Sequence, residues 1–161
     1  MAAPGALSTE GGRLPTAVEW IELRDVAQRY ASGVDRGDTE RFLSAFHDDG
    51  ALVSHDRADH ATVTRRRTGH GELGPIPTTV ASKYVRTFHL IGNTDYRVDG
   101  DEAWGEVYCV AHHYEVVEGE PSDFAMYIRY QDRYARRDGQ WRIAERHHLL
   151  DWTERRRAEP I

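Results

Sequence analysis

A single cysteine among 161 residues leaves no partner for an internal disulfide. Cys109 lies in the apolar run Val107-Tyr-Cys-Val-Ala111, where a free thiol behaves as a small hydrophobe, and a reducing, cytoplasmic setting is the expectation. No stretch approaches the roughly 20 apolar residues of a membrane-spanning helix, and no basic segment followed by an apolar one opens the chain. Neither membrane association nor a secretory signal is therefore expected. Glycine-rich phosphate loops, cysteine pairs at zinc spacing, internal repeats and parallel βαβ units are all missing. Basic charge is also in short supply: 21 Lys and Arg against 27 Asp and Glu leave a net charge of −6. The arginines fall in short runs, Arg65 to Arg67 and Arg155 to Arg157, without interleaved aromatics. Nucleic acid is thus a poor partner, and both runs are read as solvated.

What is present suits one soluble domain with one core. Met1 to Pro15, rich in Gly, Ala, Ser and Pro, reads as a mobile tail. Thr16-Ala-Val-Glu19 is a capping-box pattern, and beyond it Trp20, Leu23, Ala27, Tyr30 and Val34 recur at helical spacing, with Val26 at the margin of the stripe. Asp35 ends that helix at its inner edge and Gly37 breaks it. Asp38 then caps a second short helix carrying Phe42, Leu43 and Phe46. Ala51 to Ser54 reads as a short strand, His55 to about His70 as loop, and Glu72 to Tyr84 as one or two helical turns limited by Pro75 and Pro77, suited to a lid. Strand-like runs follow at Val85–Gly92, Tyr96–Val98, Glu102–Val117, Phe124–Arg137 and Trp141 to about Asp151, with hairpin turns at Asp99-Gly100 and Asp138-Gly139. Helices first and a meander of long antiparallel strands afterwards is the order of an α+β domain whose curved sheet wraps its helices.

Alternation selects the residues that face inward. Phe124, Met126, Ile128 and Tyr130 share one face, and of the adjacent His112 and His113 only one can point in; if Val107, Cys109 and Ala111 are concave, it is His113. His89 lies mid-strand in a run fit for burial and needs a hydrogen-bond partner. Asp35 is the early carboxylate beside an apolar stripe that no cap or loop already explains. Together they would form a pair that fixes the imidazole tautomer. Taken alone, a strand histidine, Tyr30 at helical spacing and Arg146 all have ordinary structural readings. Strict alternation from Trp141 and Ile143 even turns Arg146 outward unless a bulge shifts the face.

Four segments in order, Arg29-Tyr-Ala-Ser-Gly-Val-Asp35-Arg-Gly-Asp38, Phe46-His-Asp-Asp-Gly50, Thr87-Phe-His89-Leu-Ile-Gly-Asn93 and Tyr134-Ala-Arg-Arg-Asp-Gly-Gln-Trp141-Arg-Ile143, together resemble the SnoaL-like branch of the nuclear-transport-factor-two-like superfamily. That branch includes scytalone dehydratase, a bile acid dehydratase and hexachlorocyclohexane dehydrochlorinase. The resemblance covers roughly residues 16–152. It implies a cone-shaped α+β barrel over residues 16–153, with a short C-terminal tail at 154–161. It also implies a catalytic dyad at Asp35 and His89, with Tyr30, His113 and Arg146 as polar catalytic assistants. Tyr130, Phe46, Met126, Ile128 and His148 are the expected substrate-binding residues, and a homodimer or homotrimer is the implied assembly.

Such a dyad would let neutral His89 remove a proton next to a carbonyl, with hydrogen-bond donors stabilising the enolate, in a hydrophobic cyclic molecule of polyketide- or steroid-like kind. Loss of water, polyketide cyclisation and isomerisation all begin with that step, and none needs a cofactor. Two other classes compete with this one. A metal enzyme is disfavoured because His112–His113 and His147–His148 diverge on strands and His47, His55, His60 and His70 lie in polar segments. A non-catalytic small-molecule-binding domain has no need of a charged Asp beside a buried His.

Overall fold

The computed structural model describes residues 12–160. Helix α1 (Ala17–Arg36) starts on the capping box: the Thr16 hydroxyl accepts the Glu19 N–H at 3.2 Å, and the Glu19 carboxylate accepts the Thr16 N–H at 2.8 Å. Its buried stripe is Leu23, Val26, Ala27, Tyr30, Ala31 and Val34. Val26 is central rather than marginal, and Trp20 is not part of the stripe; it stands 39 % exposed with the Arg24 guanidinium 5.5 Å from its ring. The helix ends at Gly37, whose φ of 63° suits a residue without Cβ. Asp38 accepts the Arg41 N–H at 2.9 Å and starts α2 (Thr39–Leu43).

Six strands follow: β1 (Phe46–His55), β2 (Val63–Thr68), β3 (Arg86–Asp99), β4 (Glu102–Val117), β5 (Glu120–Arg137) and β6 (Gln140–Arg157). Between β2 and β3 lie α3 (Gly69–Leu73) and α4 (Pro75–Lys83), the latter packed on α1 and α2. The sheet order is β2-β1-β6-β5-β4-β3, curved and unclosed, with β2 and β3 as its two edges. The α+β architecture is the one anticipated. The sheet is mixed rather than wholly antiparallel, because β1 returns alongside β6 in parallel register, Leu52 opposite Arg146 and Ser54 opposite His148.

Several boundaries differ from those expected. Phe46 opens β1 instead of continuing α2, because Ser44 closes that helix. Residues 63–68, expected as loop, pair with β1 as an edge strand; their polar composition hides them, since backbone bonds to β1 rather than a buried apolar face make the strand. β3 runs unbroken through a bulge between Ile91 and Thr94. β6 continues to Arg157, so residues 154–157 belong to the sheet and not to a tail, paired with Ser122 to Ala125. At the other end, Arg13 exchanges both backbone hydrogen bonds with Val98 (3.0 and 2.9 Å), so the tail does not extend to Pro15; residues 1–11 lie outside the described residues. Asp138 and Gly139 both have positive φ, as a tight hairpin requires, and Gly100 does so in the β3–β4 turn.

Two bulges in β6 decide which side chains face the concave side. Arg133 pairs with Glu145 and Tyr134 with Ile143, leaving Ala144 unopposed; Ile128 pairs with Leu150 and Tyr127 with Trp152, leaving Asp151 unopposed. The first shifts the alternation by one, so Ile143 and Arg146 both point inward.

The helix pair is held at backbone contact. A Cβ built on Gly33 would lie 2.5 Å from the Phe42 nitrogen and 2.6 Å from its Cα, so an added methyl cannot be absorbed by a side-chain rotation. Gly33→Ala should therefore lower stability by about 1–3 kcal/mol in urea denaturation. An unchanged midpoint would show that α2 can slide away at no cost.

Candidate active site

A cavity of about 330 Å³ lies between α1, α4 and the concave face of the sheet. Its walls are mixed. Val34, Leu52, Ile76, Val80, Met126 and Ile128 supply the apolar surface, and Tyr30, His89, His113, Tyr130 and His148 supply the polar one. A concave, largely apolar site with a few convergent polar groups is the usual form of a small-molecule pocket.

Asp35, in the last turn of α1, is held by three donors from β3. The His89 ring Nδ1–H donates to one carboxylate oxygen at 2.6 Å, the Thr87 hydroxyl to the same oxygen at 2.8 Å, and the His89 backbone N–H to the other at 2.9 Å. Burial pushes the Asp35 carboxyl up, but the His89 ring hydrogen bond and charge, with the amide and hydroxyl donors, outweigh it and hold the carboxyl below its ordinary value. With Nδ1 committed as donor to Asp35, the ring nitrogen of His89 left free is Nε2. The side chain is 7 % exposed, and His89 lines the cavity while Asp35 stands behind it.

His113 is set in the same tautomer by a different acceptor. Its Nδ1–H donates to the Phe124 carbonyl at 3.0 Å. Burial pushes this imidazole down, so it is neutral and its Nε2 accepts rather than donates. The ring stands edge-on to His89 at 5.8 Å and packs on Tyr84, at the end of α4, at 4.4 Å. His148 is a third neutral imidazole, pushed down by burial to about 4, with its ring 5.6 Å from Tyr130. Tyr30 and Tyr130 meet edge to face at 5.4 Å, and burial raises both phenols, which stay protonated.

Behind the tyrosines is an ion pair with no exposed surface on either side chain. Arg146 donates from Nε and Nη2 to Asp132 at 2.8 and 2.6 Å, and the Tyr134 hydroxyl donates to Asp132 at 2.5 Å. Burial disfavours the guanidinium charge, and Asp132 more than offsets it, so Arg146 stays protonated. The rings of Tyr30 and Tyr130 lie 4.3 and 4.2 Å from its Cζ, a cation–π arrangement. Arg146 accordingly faces inward, but it lies behind the tyrosines and does not line the cavity, and its Nη1 is buried without a hydrogen-bond partner. Phe46 is corrected likewise: it is fully buried beneath Tyr30, ring centroids 6.0 Å apart, and takes no part in the cavity wall.

Asp35 and His89 are thus brought together, with Tyr30, His113, Tyr130, Met126, Ile128 and His148 around the same space. Several site residues escaped sequence reasoning, among them Thr87, which holds Asp35, and two charged residues, Asp132 and Arg67. Asp132 continues the inward alternation of Ile128 and Tyr130, a signal that was readable. Arg67, in the run taken as solvated, lines the cavity, whereas Arg65 and Arg66 are exposed. It lies on β2 directly opposite Leu52, and without a strand assignment nothing pointed it inward. Among the described residues no group of three His, Cys, Asp or Glu is placed to hold a metal ion.

Residues 21–147 match the SnoaL-like domain model. The chain belongs to the SnoaL-like family. No curated protein matches it in sequence. Among solved structures, a protein of unknown function from Mycobacterium tuberculosis is 28% identical, with 83% of this chain and 72% of that one covered at a TM-score of 0.70. Hexachlorocyclohexane dehydrochlorinase LinA-type3 from Novosphingobium barchaimii is 17% identical over 89% and 96% of the two chains, TM-score 0.73. A scytalone dehydratase-like protein from Novosphingobium aromaticivorans is 22% identical over 89% and 93%, TM-score 0.70. The last two likenesses speak for the fold. Among the described residues, no helix is long and apolar enough to cross a membrane.

Two measurements follow from the geometry of this SnoaL-like site. A carboxyl held below its unfolded value adds stability that is present above the unfolded pKa, near 3.8, and is lost as pH falls through the folded value. The stability gap between the wild type and Asp35→Asn should therefore be constant near neutrality and narrow below about pH 4. A gap independent of pH would mean that Asp35 is not charged in the fold. Removing one partner of the inner pair, as in Asp132→Ala, strands a buried cation and should cost about 3–5 kcal/mol, whereas Asp132→Leu combined with Arg146→Met should recover most of it. Equal losses in the single and double variants would refute a pairwise account.

Proposed function

We propose that this SnoaL-like domain is a cofactor-independent lyase that removes water from a hydrophobic cyclic small molecule, with His89 as the base. The family and its dehydratase and dehydrochlorinase relatives support a small-molecule-processing enzyme. The observation that carries the finer reading is the Asp35–His89 contact at 2.6 Å beside an apolar cavity. Asp35 fixes the proton on Nδ1, so Nε2 is the nitrogen available to substrate.

In this reading Nε2 takes a proton from the carbon next to a carbonyl, and the C–H electron pair moves into an enolate. The Asp35 charge stabilises the imidazolium that forms. Tyr30 and Tyr130, kept protonated by burial, donate to the enolate oxygen from a dry wall. Collapse of the enolate expels the β-hydroxyl, which leaves as water with the proton returned by His89 Nε2–H. The free Nε2 of His113 accepts from that hydroxyl and orients it. Arg146 is a positioning residue here, setting the two tyrosine rings.

Isomerisation is the second reading. It needs no leaving group, and the neutral His113 has no ring N–H free to protonate one. Both readings begin with the same proton abstraction, and their products differ.

The test is exchange of acidic C–H protons into deuterated water, followed by NMR, over a panel of cyclic β-hydroxy ketones and thioesters, with loss of water read by mass spectrometry. Wild type should exchange and eliminate, and His89→Gln should be slower by roughly 10²- to 10⁴-fold. If no compound exchanges faster with the wild type than in buffer, the acid–base reading falls and the domain is a binding module.

A further inference from the structure

Two cations line the cavity, Arg67 and Lys83, against a single carboxylate, Glu72. Lys83 is exposed at the mouth, its ammonium 4.9 Å from the Tyr84 ring. The Glu72 carboxylate accepts the Thr68 N–H at 2.7 Å. Arg67 is half-buried, and among the described residues its guanidinium makes no hydrogen bond and no ion pair at contact distance; the Glu72 charge acts on it only from further off. Its neighbour Arg66, on the opposite face of the strand, is bound to Glu145 at 2.6 Å. The side chain of Arg67 points to the concave face because its opposed residue, Leu52, does so. The carboxylate three strands along the same rung, Asp132, is taken by Arg146 and Tyr134.

A guanidinium half-withdrawn from water beside an apolar wall, with Glu72 outside ion-pair distance, gains by pairing with a carboxylate brought by a ligand. Planar, permanently charged and five-donor, it matches a carboxylate in two-point contact. Its place in the sheet adds direction: Arg67 is on the β2 edge and His89 on the β3 edge, the two opposite ends of the strand order, with the apolar wall of Leu52, Ile128 and Met126 between them.

We infer that Arg67 anchors a carboxylate of the substrate, so that the molecule processed is an amphipathic acid with its acidic C–H at the far end, against His89. The second half of this statement rests on His89 being the base; the anchoring does not.

The experiment is calorimetric titration of the full chain with 2-naphthoate and with its neutral counterpart 2-naphthamide. Wild type should bind the carboxylate about tenfold or more tightly than the amide. Arg67→Gln should bring the two to near parity, Arg67→Lys should keep part of the preference, and Lys83→Gln should leave it intact. His89→Gln should lose proton exchange and keep the preference, so failure of the base and failure of the anchor read out separately. Equal binding of acid and amide by the wild type, a preference that survives in Arg67→Gln, one that disappears in Lys83→Gln, or no binding of 2-naphthoate up to millimolar concentration would each overturn the assignment.

Discussion

A guanidinium with no exposed surface persists only against a carboxylate, and Arg146 meets Asp132 in two-point contact at the centre of the concave face. That contact fixes more than a charge. It joins β5 to β6 at one register, and a slip of one residue would carry Arg146 to the convex face and leave Asp132 buried alone. Tyr134 closes one side of the pair through its hydroxyl, and the rings of Tyr30 and Tyr130 cover the guanidinium from α1 and β5. Because those two rings are also cavity wall, the position of the wall depends on the ion pair beneath it. The bulge at Ala144 is the backbone feature that makes the arrangement possible.

The Asp35–His89 contact obeys a second constraint. The C-terminal end of a helix is its negative end, an unfavourable place for a carboxylate. Asp35 is tolerated there because β3 supplies an imidazole N–H, an amide N–H and a hydroxyl within three residues. Satisfying the carboxylate also fixes the imidazole tautomer, so the stability requirement of the helix end and the orientation of a base are met by the same three bonds. His113 shows the same logic with a carbonyl acceptor in place of a carboxylate, which orients the ring without favouring its protonated form.

How much of this was legible follows from which signals are local. The capping box, the α1 stripe from Leu23 to Val34, the hairpin turns and the inward faces of β4 and β5 are written in short-range pattern and appear where the pattern puts them. The pairing of Asp35 with His89 joins residues far apart in sequence; the need of a buried histidine for a partner pointed to it, and the family resemblance placed the two residues together. Strand β2 was invisible because Val63 to Thr68 carries no alternation; an edge strand held by backbone bonds to β1 needs none. The inward turn of Arg146 depends on an unopposed residue in β6, and no residue type announces a bulge when the extra position is an alanine. Asp132 lies one step beyond Tyr130 in the same alternation, so its inward face is written in short-range pattern as well.

Arg67 and Arg146 show why residue type alone could not have separated these roles. Both sit on one rung of the sheet with Leu52 between them, and both point to the concave side. Arg146 has its carboxylate, its capping rings and no surface, so its charge is spent internally and can act on a ligand only through the tyrosines it positions. Arg67 has the same group at the sheet edge, on the cavity wall, with the nearest carboxylate of the rung already occupied. A charge without a partner in the fold is the one left to select a partner from solution. The difference between the two arginines is one of hydrogen-bond inventory, which the pairing of β1 with β2 and of β5 with β6 determines and which no single stretch of the sequence contains.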